Sequence, residues 1–215
     1  MMTAAQLSMF PNIVTRVIER RDGRLVIGQA DGVQARAVET FQAFGFADRI
    51  TSEAYRITQT CFWKPDPANP ENIIRTAVTE DDPNGMSEFP HLIVNQARVL
   101  DYFAEFMGNA PARQKVDYGI DFAGLEVTYD ADYPVHVRVK YVAGDRSGEE
   151  RTIRAKFVVG SDGARSRVRD DIGAVHLGAV SYHAWGVMDV LANTDFPDIR
   201  FKCAIQSAHG SILHI

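Results

Sequence analysis

The chain has 215 residues, 46% of them hydrophobic and 24% charged, the proportions of a globular protein with enough length for a proper core. Its 28 acidic and 23 basic residues leave a net charge of −5, which argues against a general nucleic-acid binder but not against a local anion pocket. Cys61 and Cys203 offer neither a disulfide framework nor a zinc spacing, no run approaches the about 20 apolar residues of a membrane span, and no signal-peptide pattern opens the chain. The expectation is a cytoplasmic protein with two reduced thiols, no metal, no nucleic-acid partner and no membrane partner.

Residues 1–9 suit a helix that Pro11 ends. Residues 13–18 read as a strand closing at Glu19-Arg20-Arg21, and Asp22-Gly23 is a turn signal. The glycine-spaced loop Gly28-Gln29-Ala30-Asp31-Gly32 leads into a helix over about 33–44, with Val38, Phe41 and Phe44 at helical spacing and Gly45 as its C-cap. Residues 55–63 look like a strand. Residues 64–85, rich in Pro, Asp and Asn, read as an irregular excursion with one short strand at Ile73-Ile74. After a short strand over 91–94, Asn95 caps a helix over 96–107 whose apolar face holds Val99, Tyr102, Phe103 and Phe106. Residues 125–129, 135–142 and 151–159 alternate like antiparallel strands, and further strands are expected over 182–190, 199–207 and 211–215. The sum is an α/β arrangement with antiparallel insertions.

The most telling segment is Phe157-Val158-Val159-Gly160-Ser161-Asp162-Gly163, followed by Ser166 and Arg169. It reads as a β-branched strand, a small-residue turn and a helix start. A helix N-terminus presents free N–H groups and the positive end of its dipole, a geometry suited to a phosphate. Arg169 adds a second anion-binding group.

Three further blocks join it: the 16–20 segment, Gly28 to Gly32 with Arg36, and His91-Leu92-Ile93-Val94-Asn95-Gln96-Ala97-Arg98. Together they resemble the FAD-dependent aromatic hydroxylases of the phenol 2-monooxygenase and 3-hydroxybenzoate 4-monooxygenase type, over essentially the whole chain. The resemblance implies an incomplete Rossmann-like FAD-binding domain with part of an antiparallel-sheet substrate domain, like p-hydroxybenzoate hydroxylase. Residues 1–50 and 91–175 would form the former, residues 51–90 and 176–215 the latter. That family opens with a strand and a Gly-x-Gly-x-x-Gly turn for the FAD pyrophosphate, which this sequence lacks. Its second flavin motif and a thioredoxin-like domain would lie beyond Ile215. The resemblance therefore implies an internal or truncated piece of a larger hydroxylase.

It also implies cofactors and roles. FAD is the cofactor and NADPH the cosubstrate; the partner is a small phenolic substrate, and a homodimer of the full-length enzyme is left open. Glu19 and Arg20 end a strand where an acid can accept ribose hydrogen bonds; otherwise Glu19 is a solvated strand-end residue. Gly28, Gln29, Ala30, Asp31 and Gly32 pass close to the flavin. Asp31 helps to deprotonate the phenol, which makes the ring a better carbon nucleophile; the alternative is an Asx-turn aspartate. Gln96 and Arg98 contact the flavin, or else serve the first turn of their helix. His91 reaches the substrate pocket, or is a satisfied structural histidine. Asp162 and Gly163 contact FAD in a block that also serves NADPH. In the strand around Lys202, Phe201, Cys203 and Ile205 share one face, and Lys202, Ala204 and Gln206 the other. Lys202 would pair with a benzoate carboxylate, tilting the substrate toward 3-hydroxybenzoate over phenol; the alternative is an exposed strand lysine. Two other readings stay open: a non-catalytic remnant or interaction module, and another FAD-dependent oxidase on the same scaffold.

Overall fold

The structure, a computed structural model, describes residues 1–28, 30–129 and 132–215. In chain order its elements are α1 (Met2–Leu7), β1 (Val17–Glu19), β2 (Gly32–Val33), α2 (Ala35–Ala43), α3 (Ala47–Glu53), β3 (Tyr55–Ile57), β4 (Gln59–Pro65), β5 (Ile73–Glu80), β6 (His91–Ile93), α4 (Gln96–Asn109), β7 (Val116–Tyr118), β8 (Ile120–Val127), β9 (Val135–Tyr141), β10 (Glu150–Ala155), α5 (Arg167–Asp171), β11 (Lys202–Ser207) and β12 (Gly210–His214). This is a mixed α/β fold with four sheets among the described residues. The chain divides into two units, Met1–Leu25 with Ala104–Val187, and Val26–Phe103 with Met188–Ile215.

In the first unit, β1 pairs in parallel with β7, and β8, β9 and β10 form an antiparallel sheet in the order β10-β9-β8. Alternation along β9 turns Val137, Val139 and Tyr141 inward, where they pack with Ile120, Ile18, Leu125 and Ile153. The short helix α5 is fastened to β8 by polar ties. Asp171 Oδ2 accepts the Leu125 N–H at 2.8 Å, and Arg167 pairs with Asp121.

In the second unit, β2-β6-β3 is a small antiparallel sheet, and β12-β11-β4-β5 is a mixed one in which β11 runs parallel to β4. The apolar stripes of α2 and α4 meet in an aromatic cluster. Phe46 stacks on Tyr102 at 5.1 Å with an interplanar angle of 5°, and Phe103 stands edge-on to Phe41, Phe44 and Phe46. Ile50 and Leu92 are fully buried, each contributing about 2 kcal/mol of apolar burial.

Several expectations are corrected. The strand expected over 13–18 is confined to β1. The strand expected over 55–63 is two strands, β3 and β4, in different sheets. The excursion over 64–85 contains the eight-residue strand β5, which hydrogen-bonds along all of β4; its Pro- and Asn-rich lead-in hid a β-branched run. Helix α3 and strand β7 were not anticipated. The strand expected to run to Val159 ends at Ala155, and 182–190 forms no strand. Phe157, Tyr182, Trp185 and Val187 are exposed. Both segments have strand-like sequences, but none of the described strands pairs with them, and a ladder needs two sides.

Candidate functional site

The loop before β2 and the start of α4 come together in the second unit. A Cβ on Gly28 would fall 2.7 Å from Gln96 Cβ and 2.9 Å from Asp31 Oδ1, so only a glycine lets the backbone run this close to the helix start. Asp31 Oδ1 accepts the Gln96 N–H at 3.3 Å, and the Asp31 carbonyl accepts the Val94 N–H at 2.9 Å. Asn95 Oδ1 accepts the Ala97 N–H at 2.8 Å, so Asn95 caps α4 as its sequence suggested. Asp31 is thus an exposed carboxylate at the positive end of α4, where the dipole favours its charge. Gly32 pairs with Ile93 across β2 and β6, while Ala30 is exposed. Gln29 lies outside the described residues.

His91, on β6, is only 4% exposed. Its Nδ1 lies 3.0 Å from Asp81 Oδ1, and its Nε2 lies 3.4 Å from Gln34 Nε2. Asp81 directly follows β5, so this contact links the small sheet to the mixed one within the same unit.

Arg98 projects from the first turns of α4 onto the last residue of α3. Its Nε meets Glu53 Oε2 at 2.8 Å and its Nη2 meets Glu53 Oε1 at 2.9 Å, while Nη1 meets Asp101 Oδ2 at 3.0 Å. The Tyr102 hydroxyl also donates to Glu53. Arg98 and then Tyr102 hold the Glu53 carboxyl down at about 2, and the two acids raise the Arg98 guanidinium in turn. A phosphate approaching Arg98 competes with two carboxylates.

Lys202 opens β11, half-buried and in register with Thr60 of β4. The next residue, Cys203, is fully buried and in register with Cys61. The expected alternation therefore sets Lys202 on the face opposite the thiols. The two cysteines that sequence distance kept apart lie side by side with Asp198, ligand atoms within 4.8 Å of one another. Both are free thiols, and burial pushes Cys203 up to about 11. Asp198 already accepts the Arg75 Nη1 at 2.8 Å and the Trp63 indole N–H at 2.9 Å. The cluster is a hydrogen-bonded node between strands.

In the first unit, Glu19 Oε1 turns back onto its own chain, accepting the Arg21 N–H at 2.9 Å and the Arg21 side chain at 3.3 Å; Arg20 is exposed. Gly163 takes φ +84°, a left-handed conformation that favours glycine in the Asp-Gly turn. Asp162 Oδ2 accepts the Val168 N–H at 3.1 Å, Ser166 Oγ donates to Asp162, and Ser166 Oγ accepts the Arg169 N–H at 3.0 Å. Burial opposes charge on Asp162, yet the hydrogen bonds from Ser166 and Val168 keep its carboxyl below the usual range. The expectation of free N–H groups awaiting a phosphate is corrected here: α5 has five residues, and two of its first amides are taken by Asp162 and Ser166. The turn borders an open cleft of about 260 Å³ lined by Val158, Gly160, Ser166, Val168 and Arg169 among others.

Asp81, Gln34 and Glu53 were not singled out in the sequence. The run Ile73 to Glu80, closed by Asp81-Asp82-Pro83-Asn84-Gly85, carried a strand-and-turn signal that would have placed Asp81 at a strand end. No comparable signal marks Glu53, which needed the unexpected helix α3.

All of residues 1–215 match the family described as FAD binding domain. Over 213 residues the chain is 48% identical to the 3-hydroxybenzoate 4-monooxygenase of Comamonas testosteroni, a match spanning 99% of this chain and 33% of that protein. Over 206 residues it is 39% identical to the FAD-dependent monooxygenase terD of Aspergillus terreus (strain NIH 2624 / FGSC A1156), spanning 93% of this chain and 33% of that one. The crystal structure of the flavin-dependent monooxygenase PieE with FAD and substrate shares the fold, with a TM-score of 0.66 at 22% identity over 83% of this chain and 31% of that chain. The chain thus spans about a third of the length of these curated relatives. It belongs to the FAD binding domain family.

Proposed function

We propose that the chain is part of a flavoprotein monooxygenase that hydroxylates a phenolic ring, 3-hydroxybenzoate in preference to phenol, with FAD as cofactor, NADPH as reductant and O₂ as oxidant. The observation that carries this reading is the 48% identity to a 3-hydroxybenzoate 4-monooxygenase across 99% of the chain, in which Asp31, His91 and Lys202 all belong to one structural unit.

The residues present fit a flavin on the second unit's side. The loop at Gly28 has no room for a Cβ and runs along the start of α4, beside Gln96 and Arg98. Gly28, Ala30, Gly32, Gln96 and Arg98 would hold the cofactor there. When bound, the flavin supplies the activated oxygen that is transferred to the ring. The chain's own groups prepare the substrate. Asp31 draws the proton from the phenolic hydroxyl and raises the electron density of the ring. Lys202, on the face of β11 opposite the thiols, pairs with the carboxylate of a benzoate, a partner that phenol does not offer. On this reading residues 1–50 and 91–175 serve the cofactor, and residues 51–90 and 176–215 serve the substrate.

The test is turnover by the FAD-loaded enzyme, followed as substrate-dependent NADPH oxidation with chromatographic detection of the hydroxylated product. Lys202→Met should weaken 3-hydroxybenzoate binding far more than phenol binding. Equal effects on the two would remove the assignment of Lys202, and absence of hydroxylated product would remove the reading as a whole.

A further inference from the structure

We infer that Asp81 is a positioning residue that fixes His91 in its Nδ1–H tautomer, so that Nε2 is a hydrogen-bond acceptor for the hydroxyl of a phenolic substrate. The inference rests on the proposed hydroxylase function for its ligand, but not for its geometry.

The two ring nitrogens have unlike partners. Nδ1 faces a carboxylate oxygen at 3.0 Å, which can only accept. Nε2 faces an amide nitrogen of Gln34 at 3.4 Å, which can only donate. One neutral arrangement satisfies both: Nδ1–H donates to Asp81, and the Nε2 lone pair accepts from Gln34. The opposite tautomer would set a lone pair against a carboxylate and an N–H against an amide N–H. A charged imidazolium would require Gln34 to turn over and present its oxygen.

The burial of the groups decides which contact is fixed and which is exchangeable. His91 is 4% exposed and the Asp81 side chain 23%, so their 3.0 Å bond is largely shielded from water. Asp81 is itself anchored, its N–H donating to the Thr58 carbonyl at 2.9 Å. Gln34, by contrast, is exposed, and its contact is long. Nε2 is also the atom nearest to the space above Gly32, where a Cβ would come within 3.8 Å of it. Gly32 directly follows Asp31, so Nε2 lies beside the loop that carries the other candidate substrate residue. An incoming hydroxyl can replace Gln34 there without disturbing Asp81.

This arrangement makes His91 unsuited to a substrate carboxylate, which needs a donor, and leaves that group to Lys202. It also ties the two sheets of the unit at the point where their candidate residues must be held in fixed relation. β6 carries His91, and the mixed sheet carries both Asp81, at the end of β5, and Lys202.

The test combines a spectroscopic and a kinetic arm. Nitrogen-15 NMR of the imidazole at alkaline pH reports the neutral tautomer of His91 directly, in the 215-residue chain and without FAD. The wild type should show a protonated Nδ1 and a bare Nε2. Asp81→Leu and Asp81→Ala, which both remove the acceptor, should move the population to the Nε2–H form while circular dichroism shows the fold retained. In the FAD-loaded enzyme the same variants should lower turnover of 3-hydroxybenzoate about tenfold or more. A wild-type Nε2–H tautomer, or an Nδ1–H tautomer that persists in Asp81→Leu, overturns the role of Asp81. A switched tautomer with unchanged turnover overturns the role of Nε2 toward substrate. Failure of the wild type to hydroxylate any phenol counts against the proposed function, and the NMR arm is read independently of it.

Discussion

Arg98 holds Glu53 in a two-pronged grip, Nε to Oε2 at 2.8 Å and Nη2 to Oε1 at 2.9 Å, and so locks the first turns of α4 to the end of α3. Planar guanidinium and planar carboxylate match in this geometry, which adds direction to the charge attraction. The grip means that Arg98 does structural work whether or not a flavin is bound.

The pair leaves a signature in acid. The Glu53 carboxyl is depressed from 4.5 to about 2 in the folded chain. A depressed acid contributes stability that is fully present above the unfolded value and is lost as pH falls toward the folded one. Between about pH 4.5 and about 2 the wild type should lose stability that Glu53→Gln has already lost, so the two urea midpoints converge over that interval. The effect should be small and salt-sensitive, since both side chains are partly exposed. A constant gap at all pH values would show that the carboxylate charge is not what matters.

Gly28→Ala tests the close approach of the loop to α4. Its new methyl would fall 2.7 Å from Gln96 Cβ, so either the loop or the helix start must shift. Overpacking of this kind costs about 1–3 kcal/mol. Urea denaturation should show that loss, and FAD affinity should fall with it if the loop lies against the flavin. Wild-type stability in the alanine variant would mean that the loop stands clear of the helix.

Asp198 is 2% exposed and joins Arg75, Trp63 and Cys203. Removing it in Asp198→Ala leaves the Trp63 indole N–H without its acceptor, at a cost of about 1–3 kcal/mol. Asp198→Asn, which can still accept one hydrogen bond, should cost less. Calorimetry on the two variants, with Trp63→Phe as the partner deletion, separates the indole contact from the rest of the node. Equal losses in both Asp198 variants would locate the stabilisation in the charge rather than in the acceptor.

Ser166 caps α5 by accepting the Arg169 N–H at 3.0 Å. Ser166→Ala should cost about 1 kcal/mol. It should also speed amide exchange at Arg169 more than in the β8–β9 ladder, since the lost bond is local. Unchanged exchange at Arg169 would mean that the cap is not formed in solution.

The sequence by itself determined helices α2 and α4, although α3 escaped it. Val38 and Phe41 on α2, Tyr102 and Phe103 on α4, and the Asn95 cap were all legible, because a helix closes its hydrogen bonds within one short stretch and its buried face repeats at a fixed local period. The motif blocks likewise pointed to the FAD-dependent hydroxylases without any coordinates. The strands were a different matter. β5 was expected only as a short strand at Ile73-Ile74 and 182–190 as a full one, although β5 forms an eight-residue strand laddered with β4 and the other segment forms none. A strand's backbone bonds are made by a partner that can lie anywhere in the chain, so local pattern decides only whether pairing is permitted. Only the tertiary structure decided that Cys61 stands beside Cys203, that Glu53 takes the guanidinium of Arg98, and that Asp81 backs His91. The first two contacts join residues far apart in sequence and the third joins residues ten apart on different sheets, and each is set by strand register or helix packing.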